Sequence, residues 1–178
     1  MRILILFLLC TQITFSQKFF TRTGVTAFKA SVDAFEPVEA KNNSSTVILD
    51  VNSGKIATLL LIKAFRFRVA LMQEHFNENY MDSDEFPKAT FKGSIHDFNW
   101  ENINSQKTYK ISGILTIKGI EKPIETIGSI QKSNNQIVLK STFSVSPADF
   151  NIKIPSIVRK KIANRIDIDI HYELSEKK

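Results

Sequence analysis

The sequence predicts an all-β protein that folds as an eight-stranded antiparallel barrel with one or two short helices at its mouth. Apolar and polar residues alternate along most of the chain, a pattern typical of strands with one buried and one solvated face. Short turn sequences join these stretches, and few segments have helical periodicity. Because closing such a meander removes its exposed edges, a barrel is favoured over an open sheet.

The N-terminus predicts a cleaved signal peptide over residues 1–16, followed by one mature domain over residues 17–178. Arg2 supplies the positive start, residues 3–9 form an apolar run, and Thr14-Phe15-Ser16 provides a small-residue cleavage site. We therefore expect a periplasmic or secreted protein. Lipid anchoring at Cys10 is the less favoured alternative, because Leu9 precedes it where lipoprotein processing requires a small residue.

The charge and the cysteine content of the mature chain limit the kinds of partner that it can bind. The formal net charge is +6 for the whole sequence and +5 once Arg2 is cleaved, which suits approach to anionic lipid or diphosphate groups. Aromatic residues are not interleaved with basic ones as a stacking platform requires, so no nucleic-acid partner is expected. The one cysteine, Cys10, would leave with the signal peptide, which excludes disulfides and cysteine-ligated metal sites from the exported chain.

The first part of the mature chain contains five strand candidates. Residues 36–40 indicate a connection or a single helical turn, and residues 41–45 continue it as a polar link. Asn52-Ser53-Gly54 is a hairpin turn. The strand candidates are residues 19–22, 25–32, 46–51, 55–62 and 65–69.

The most particular stretch of the chain is LMQEHFNENYMDSDEFPKATFKG, residues 71–93. Asp82-Ser83-Asp84 interrupts a near-helical spacing of apolar residues, and Phe86-Pro87 requires an extended backbone before alternation resumes. We expect one or two helical turns, a tight corner and entry into a strand, with the segment covering the barrel. The apolar residues at helical spacing are Leu71, Met72, Phe76, Tyr80 and Met81.

The strands after this segment have the clearest period of two. Gly93, Gly113, Gly128 and Ser141 fall on their inward faces, where they either leave room inside the barrel or relieve bends and twist. Turns are predicted over residues 99–106, 119–123 and 133–135. Residues 124–131 are a further strand candidate. The inward faces of the others comprise Phe91, Gly93 and Ile95; Tyr109, Ile111, Gly113, Leu115 and Ile117; Ile137, Leu139, Ser141, Phe143 and Val145; and Ile166, Ile168, Ile170 and Tyr172.

Residues 154–165 predict a short amphipathic helix that begins near Pro155. Its apolar stripe comprises Ile157, Val158 and Ile162. The basic side either faces a diphosphate headgroup or an anionic membrane in transient contact, or is simply a solvated face. Its cations are Arg159, Lys160, Lys161 and Arg165.

No arrangement of residues demands a catalyst, and we predict no catalytic residue, no metal site and no cofactor. Glu74, His75 and Glu78 could suggest a metal or acid-base cluster, but the pair His75 and Glu78, three positions apart, has no further protein ligand within sequence reach, and no zinc-protease pattern is present. Nucleophile elbows and phosphate-cradling glycine loops are absent from the sequence. A metal-dependent enzyme at these three residues is the less favoured alternative.

Three segments carry a resemblance to a known family: EHFNENYMDSDEFPKATFKG (residues 74–93), SGILTIKGIEKPI (residues 112–124) and SPADFNIKIPSIVRKKIANRIDIDIHYEL (residues 146–174). Together they resemble the YceI-like family of exported, lipocalin-like proteins, and most of all the branch common in Bacteroidetes. The resemblance implies an eight-stranded lipocalin-like barrel with a long apolar cavity. Some members bind polyisoprenoid chains such as isoprenoid quinones or prenyl diphosphates.

The functional expectation is a monomer or homodimer that sequesters or carries a long apolar lipid, an isoprenoid or isoprenoid quinone, inside the barrel. Fourteen phenylalanines suit an apolar ligand but would equally fill a ligand-free core. A structural or stress-related envelope protein with a filled core is therefore the main alternative. The predicted lining residues are Phe28, Phe65, Phe67, Leu71, Met72, Phe76, Phe91, Ile111, Leu115, Ile117, Phe143 and Phe150.

Overall fold

The structure, a computed structural model, describes residues 17–32, 36–103 and 105–177. The predicted signal peptide, residues 1–16, lies outside the described residues. Within the described ranges, no helix is both long and apolar enough to cross a bilayer.

Nine strands form one antiparallel sheet, and the sheet closes because β1 pairs with both β2 and β9. Eight strands are long, and the two-residue β4 only extends the edge of β2. The predicted eight-stranded lipocalin-like barrel is therefore confirmed. The strands are β1 (Lys18–Ser31), β2 (Glu39–Asp50), β3 (Lys55–Leu61), β4 (Arg66–Phe67), β5 (Lys88–Ile95), β6 (Lys107–Ile117), β7 (Ile120–Ser133), β8 (Gln136–Val145) and β9 (Ile162–Glu176).

Tight hairpins account for much of the meander. Lys118 and Gly119 connect β6 to β7 with φ values of 50° and 73°, so both residues adopt the left-handed conformation that two-residue hairpins favour. The reversal is shorter than predicted, because Pro123 already lies in β7 opposite Ile114. Asn134, with φ of 52°, serves the β7–β8 hairpin in the same way.

The strand boundaries at the start of the chain differ from the prediction. β1 is continuous, with register shifts around Gly24, and β2 includes residues 41–45, which were predicted as a polar link. Asn42 explains the second difference, because both polar atoms of its buried amide are hydrogen-bonded there. Its Nδ2 donates to the carbonyl of Leu61 at 3.0 Å, and its Oδ1 accepts from the Ser44 backbone N–H at 2.8 Å.

The segment between β4 and β5 follows its prediction of helix, corner and strand. Helix α1 (Ala70–His75) continues into a π-helical turn (Phe76–Tyr80), and the Met81 N–H donates to the Phe76 carbonyl at 3.0 Å. Asp82 then reverses the chain with φ of 45°. The short 3₁₀ helices are Ile62–Ala64, Trp100–Asn102 and Pro147–Phe150.

The helix predicted over residues 154–165 is wrong. Residues 156–161 form successive turns, and Ile162 already pairs with Ser31 in the sheet. Six residues separate Pro155 from β9, and the β-branched Ile157 and Val158 lower the helix propensity of this segment. Over the described residues the chain therefore forms one short α-helix, which lies at the barrel mouth.

One end of the barrel is filled by side chains, and we call it the filled end. Its core residues are each at most 5% exposed, and Trp100 packs on Phe19 with ring centroids 4.7 Å apart. The core residues are Phe19, Val47, Leu49, Val51, Ile56, Ile95, Ile103, Tyr109, Ile111, Ile130, Ile137, Leu139, Tyr172 and Leu174.

Candidate ligand-binding cavity

The other half of the barrel encloses a cavity of about 450 Å³ with an almost entirely apolar lining. Its walls are inward residues of the long strands, and the segment from β4 to Met81 contributes at the open end, which we call the mouth. Ligand pockets in proteins span roughly 300–1,000 Å³, so the space suits an apolar small molecule. The residues that belong both to the core and to the cavity lining form the floor: Ile56, Ile111, Leu139 and Tyr172.

Eleven of the twelve predicted lining residues border this cavity. They are Phe28, Phe65, Phe67, Met72, Phe76, Phe91, Ile111, Leu115, Ile117, Phe143 and Phe150.

Leu71 is the exception, and its predicted place in the cavity lining is wrong. Its side chain is 56% exposed and does not border the cavity. Met72, His75 and Phe76 border the cavity; the first two lie on α1 and Phe76 follows its last residue. Leu71 lies about 100° around the helix axis from Met72, at the edge of this face, and its side chain is turned to solvent.

Four phenylalanine rings meet at the mouth. Phe28 of β1 stacks on Phe76 at 5.4 Å between centroids, and Phe65 and Phe67 contact both rings at 5.1–5.7 Å. These are the distances of favourable aromatic pairs. The cluster joins β1 to the segment over residues 65–81, which we call the lid segment.

The lid segment is also fixed to the opposite wall. Met81 packs with Ile62 and Ala89 in a second small core. Lys118, in the β6–β7 hairpin, donates from Nζ to the Tyr80 carbonyl at 3.2 Å and pairs with the Asp82 carboxylate. With both sides anchored, the lid segment is positioned to border a ligand rather than to fill the cavity.

The inward glycines do not create the empty space. Gly93 and Gly113 pair across β5 and β6, and the ring of Phe91 lies over both. A Cβ on Gly113 would meet the Lys92 carbonyl oxygen at 2.3 Å and the Phe91 ring at 2.8 Å. These glycines therefore allow strands and an aromatic wall to approach closely, and the cavity arises elsewhere.

A cluster of hydroxyl groups interrupts the apolar lining at the floor. Thr26 Oγ1 lies 2.9 Å from both Ser45 Oγ and Tyr172 Oη, and the Tyr172 hydroxyl also bonds to the Thr58 side chain. Burial raises the pKa of Tyr172 to about 12, and the three hydroxyl partners oppose that rise. Sequence reasoning missed this cluster, although Tyr172 was placed inward, because its four members come from β1, β2, β3 and β9.

Charged groups that border the cavity lie at the mouth. Glu36, His75 and Lys161 are exposed lining residues beside the ends of β1, α1 and the turns before β9. The predicted headgroup cations Arg159, Lys160, Lys161 and Arg165 therefore share one end of the barrel.

The basic turn segment, residues 151–165, carries five cations and no acidic residue. None of the five pairs with a carboxylate among the described residues. Arg159 and Arg165 instead donate to the carbonyls of Ile154 at 3.4 Å and Ser144 at 3.0 Å. Ile157, between these cations, is 87% exposed, which is unusual for a large aliphatic side chain.

The alternative metal cluster gains no support from the geometry. Glu74, His75 and Glu78 are exposed on α1 and the π-helical turn. Across the described ranges, no three His, Cys, Asp or Glu side chains are grouped so that they could hold a metal ion.

Solved structures with the same fold include a polyisoprenoid-binding domain from Saccharophagus degradans implicated in plant cell wall breakdown. Its TM-score is 0.77 at 11% identity, covering 90% of this chain and 98% of the other. BcnA of Burkholderia cenocepacia aligns with TM-score 0.70 and 16% identity over 85% of this chain and 96% of its own. The YCEI protein of Campylobacter jejuni aligns with a TM-score of 0.58 and 17% identity, covering 94% of this chain and 88% of its own. At these identities the likeness shows the shared fold.

Sequence comparison places the chain in a family. No curated protein sequence matches it. The model of the YceI-like domain, however, matches residues 10–174, which is nearly the whole chain. The chain therefore belongs to the YceI-like domain family.

Proposed function

We propose that this protein binds a long apolar lipid of the isoprenoid class inside its barrel and carries or sequesters it outside the cytoplasm. The observation that carries this proposal is the apolar cavity of about 450 Å³ between a filled end and an aromatic mouth. The S. degradans domain with this fold is described as polyisoprenoid-binding, which supports the same ligand class. Export is proposed from the signal-peptide features of residues 1–16.

The proposed mechanism is removal of hydrocarbon from water, without a chemical step. Each methylene that leaves water contributes about 0.8 kcal/mol, which corresponds to about fourfold in Kd. Phe91, Leu115 and Phe143 offer inward apolar surface for this purpose. The structural alternative of a wholly filled core is less favoured, because side chains fill only one half of the interior.

A titration with prenyl alcohols of increasing length tests the ligand class. Delipidated protein is titrated with geraniol, farnesol and geranylgeraniol, and Kd is measured by displacement of a fluorescent fatty probe. We expect Kd to fall at least tenfold with each added isoprene unit until the cavity is full, because each unit buries five more carbons. Equal Kd values across the series, or no displacement at all, would contradict binding inside the barrel.

We further propose that the mouth docks on an anionic membrane to exchange lipid. The basic turn segment supplies five cations and contains no acidic residue, and Ile157 projects from it. Leu71, 56% exposed on the lid segment, adds a second apolar tip beside the mouth. Exposed apolar tips flanked by cations suit the headgroup region of an anionic bilayer.

A further inference from the structure

The floor of the cavity carries a binding feature that hydrocarbon burial does not use. We propose that the hydroxyl groups of Thr26, Thr58 and Tyr172 form a polar subsite that hydrogen-bonds an uncharged oxygen, a hydroxyl or carbonyl, at the inner end of the bound lipid. This inference rests on the proposed lipid-binding function and specifies which lipids the cavity prefers.

The subsite lies where the hollow part of the barrel meets the filled end. Tyr172 belongs to the core and also borders the cavity, and Thr26 and Thr58 border the cavity on neighbouring walls. Ser45 backs the group and is fully buried, with its Oγ 2.9 Å from Thr26 Oγ1. A ligand that reaches the floor therefore meets hydroxyl oxygens instead of aliphatic carbon.

The hydrogen-bonding capacity of the cluster exceeds what its members use among themselves. Each Ser or Thr hydroxyl has one donor and two acceptor positions, and the Tyr hydroxyl has one donor and at least one acceptor, so acceptors outnumber donors in the cluster. Bonds among Thr26, Ser45, Thr58 and Tyr172 can use every donor and still leave acceptors open. A ligand hydroxyl can donate to an open acceptor, and a ligand carbonyl can accept from a hydroxyl that rotates toward it.

The surroundings of the subsite select against a charged group. No Lys, Arg or His is among the described residues that line the inner part of the cavity, since the charged lining residues Glu36, His75 and Lys161 all lie at the mouth. A diphosphate at the floor would therefore be buried without a counter-charge, at a large desolvation cost. An uncharged oxygen needs only a hydrogen bond.

Matched ligands and matched variants test the subsite. The ligands are geranylgeraniol and the C20 hydrocarbon with the same carbon skeleton but no oxygen. The variants are Thr26→Val and Tyr172→Phe, each of which removes one floor hydroxyl. Thr126→Val is the control, because Thr126 also borders the cavity but its hydroxyl bonds to Ser141 Oγ at 3.0 Å on the far wall. Thermal unfolding verifies that all three variants fold.

We expect the wild-type protein to bind the alcohol about tenfold more tightly than the hydrocarbon, as one buried hydrogen bond would give. Thr26→Val and Tyr172→Phe should each remove most of that preference without weakening hydrocarbon binding, whereas Thr126→Val should preserve it. Equal binding of the two ligands by the wild-type protein would overturn the subsite but leave the proposed function intact. Failure of both ligands to bind would overturn both.

Labelling the tyrosine ring carbon that bears the hydroxyl locates the ligand oxygen directly. The three tyrosines occupy three different places: Tyr172 at the floor, Tyr80 at the mouth and Tyr109 in the filled core. We expect the alcohol, compared with the hydrocarbon, to shift the ¹³Cζ resonance of Tyr172 and to leave that of Tyr109 unchanged. An alcohol-specific shift at Tyr80 alone would place the oxygen at the mouth and refute the subsite.

Discussion

Replacing Leu115 with arginine is expected to abolish lipid binding in a barrel that still folds. Leu115 is 8% exposed, lies on β6 and borders the cavity beside Phe91. A guanidinium there would occupy space that the ligand needs and would lose its hydration when hydrocarbon entered. The desolvation penalty of several kcal/mol corresponds to a loss of at least a hundredfold in affinity.

The matched control is Ile114→Arg, at the neighbouring position on the same strand. Ile114 is 40% exposed and faces outward, so its arginine stays in water. Circular dichroism and thermal unfolding should show both variants folded, and the amount of co-purifying lipid should fall only for Leu115→Arg. Undiminished lipid in a folded Leu115→Arg protein would show that the ligand does not occupy the barrel interior.

Neutralising the cations at the mouth is expected to weaken binding to anionic vesicles by about a hundredfold. The variant changes Arg159, Lys160 and Arg165 to glutamine and keeps Lys161, because Lys161 borders the cavity. Each cation near an anionic surface contributes about 1 kcal/mol, so three together correspond to about 3 kcal/mol. Co-sedimentation with phosphatidylglycerol-containing vesicles at low salt measures the change.

The control for this variant removes the same charge from the opposite end of the barrel. Lys18, Lys55 and Lys177 are exposed beside the filled end. Their replacement by glutamine should weaken vesicle binding much less, because they would face away from a membrane docked at the mouth. If the two triple variants lose binding equally, the attraction comes from net charge and the mouth is not a docking surface.

The fold was predictable because alternation is a local signal. Alternation within a single strand identifies its inward residues, as it does for Tyr109 to Ile117 on β6 and Ile166 to Tyr172 on β9. The predicted element boundaries are wrong where a residue distant in sequence determines the local structure. Asn42 enters a strand because the Leu61 carbonyl accepts its amide, and Ile162 leaves the predicted helix because Ser31 pairs with it.

The site was predictable to the extent that large apolar residues on inward faces must meet in a barrel. The prediction for Leu71 was wrong because one helical position separates a residue that lines the cavity from one that faces solvent. The division of the interior into filled and hollow halves is a property of volume, which alternation does not encode. The floor hydroxyls were missed for a related reason, since Thr26 and Thr58 become neighbours of Tyr172 only when the barrel closes.

The central claim, that the barrel holds an isoprenoid lipid, is tested most directly by native mass spectrometry of the protein purified from its own host. Gentle ionisation preserves a buried ligand, and solvent extraction then releases it for mass measurement. We predict one lipid per protein chain, with a fragment series that repeats by isoprene units. A protein that arrives from its host with no bound lipid, or with only water-soluble molecules, would contradict the account.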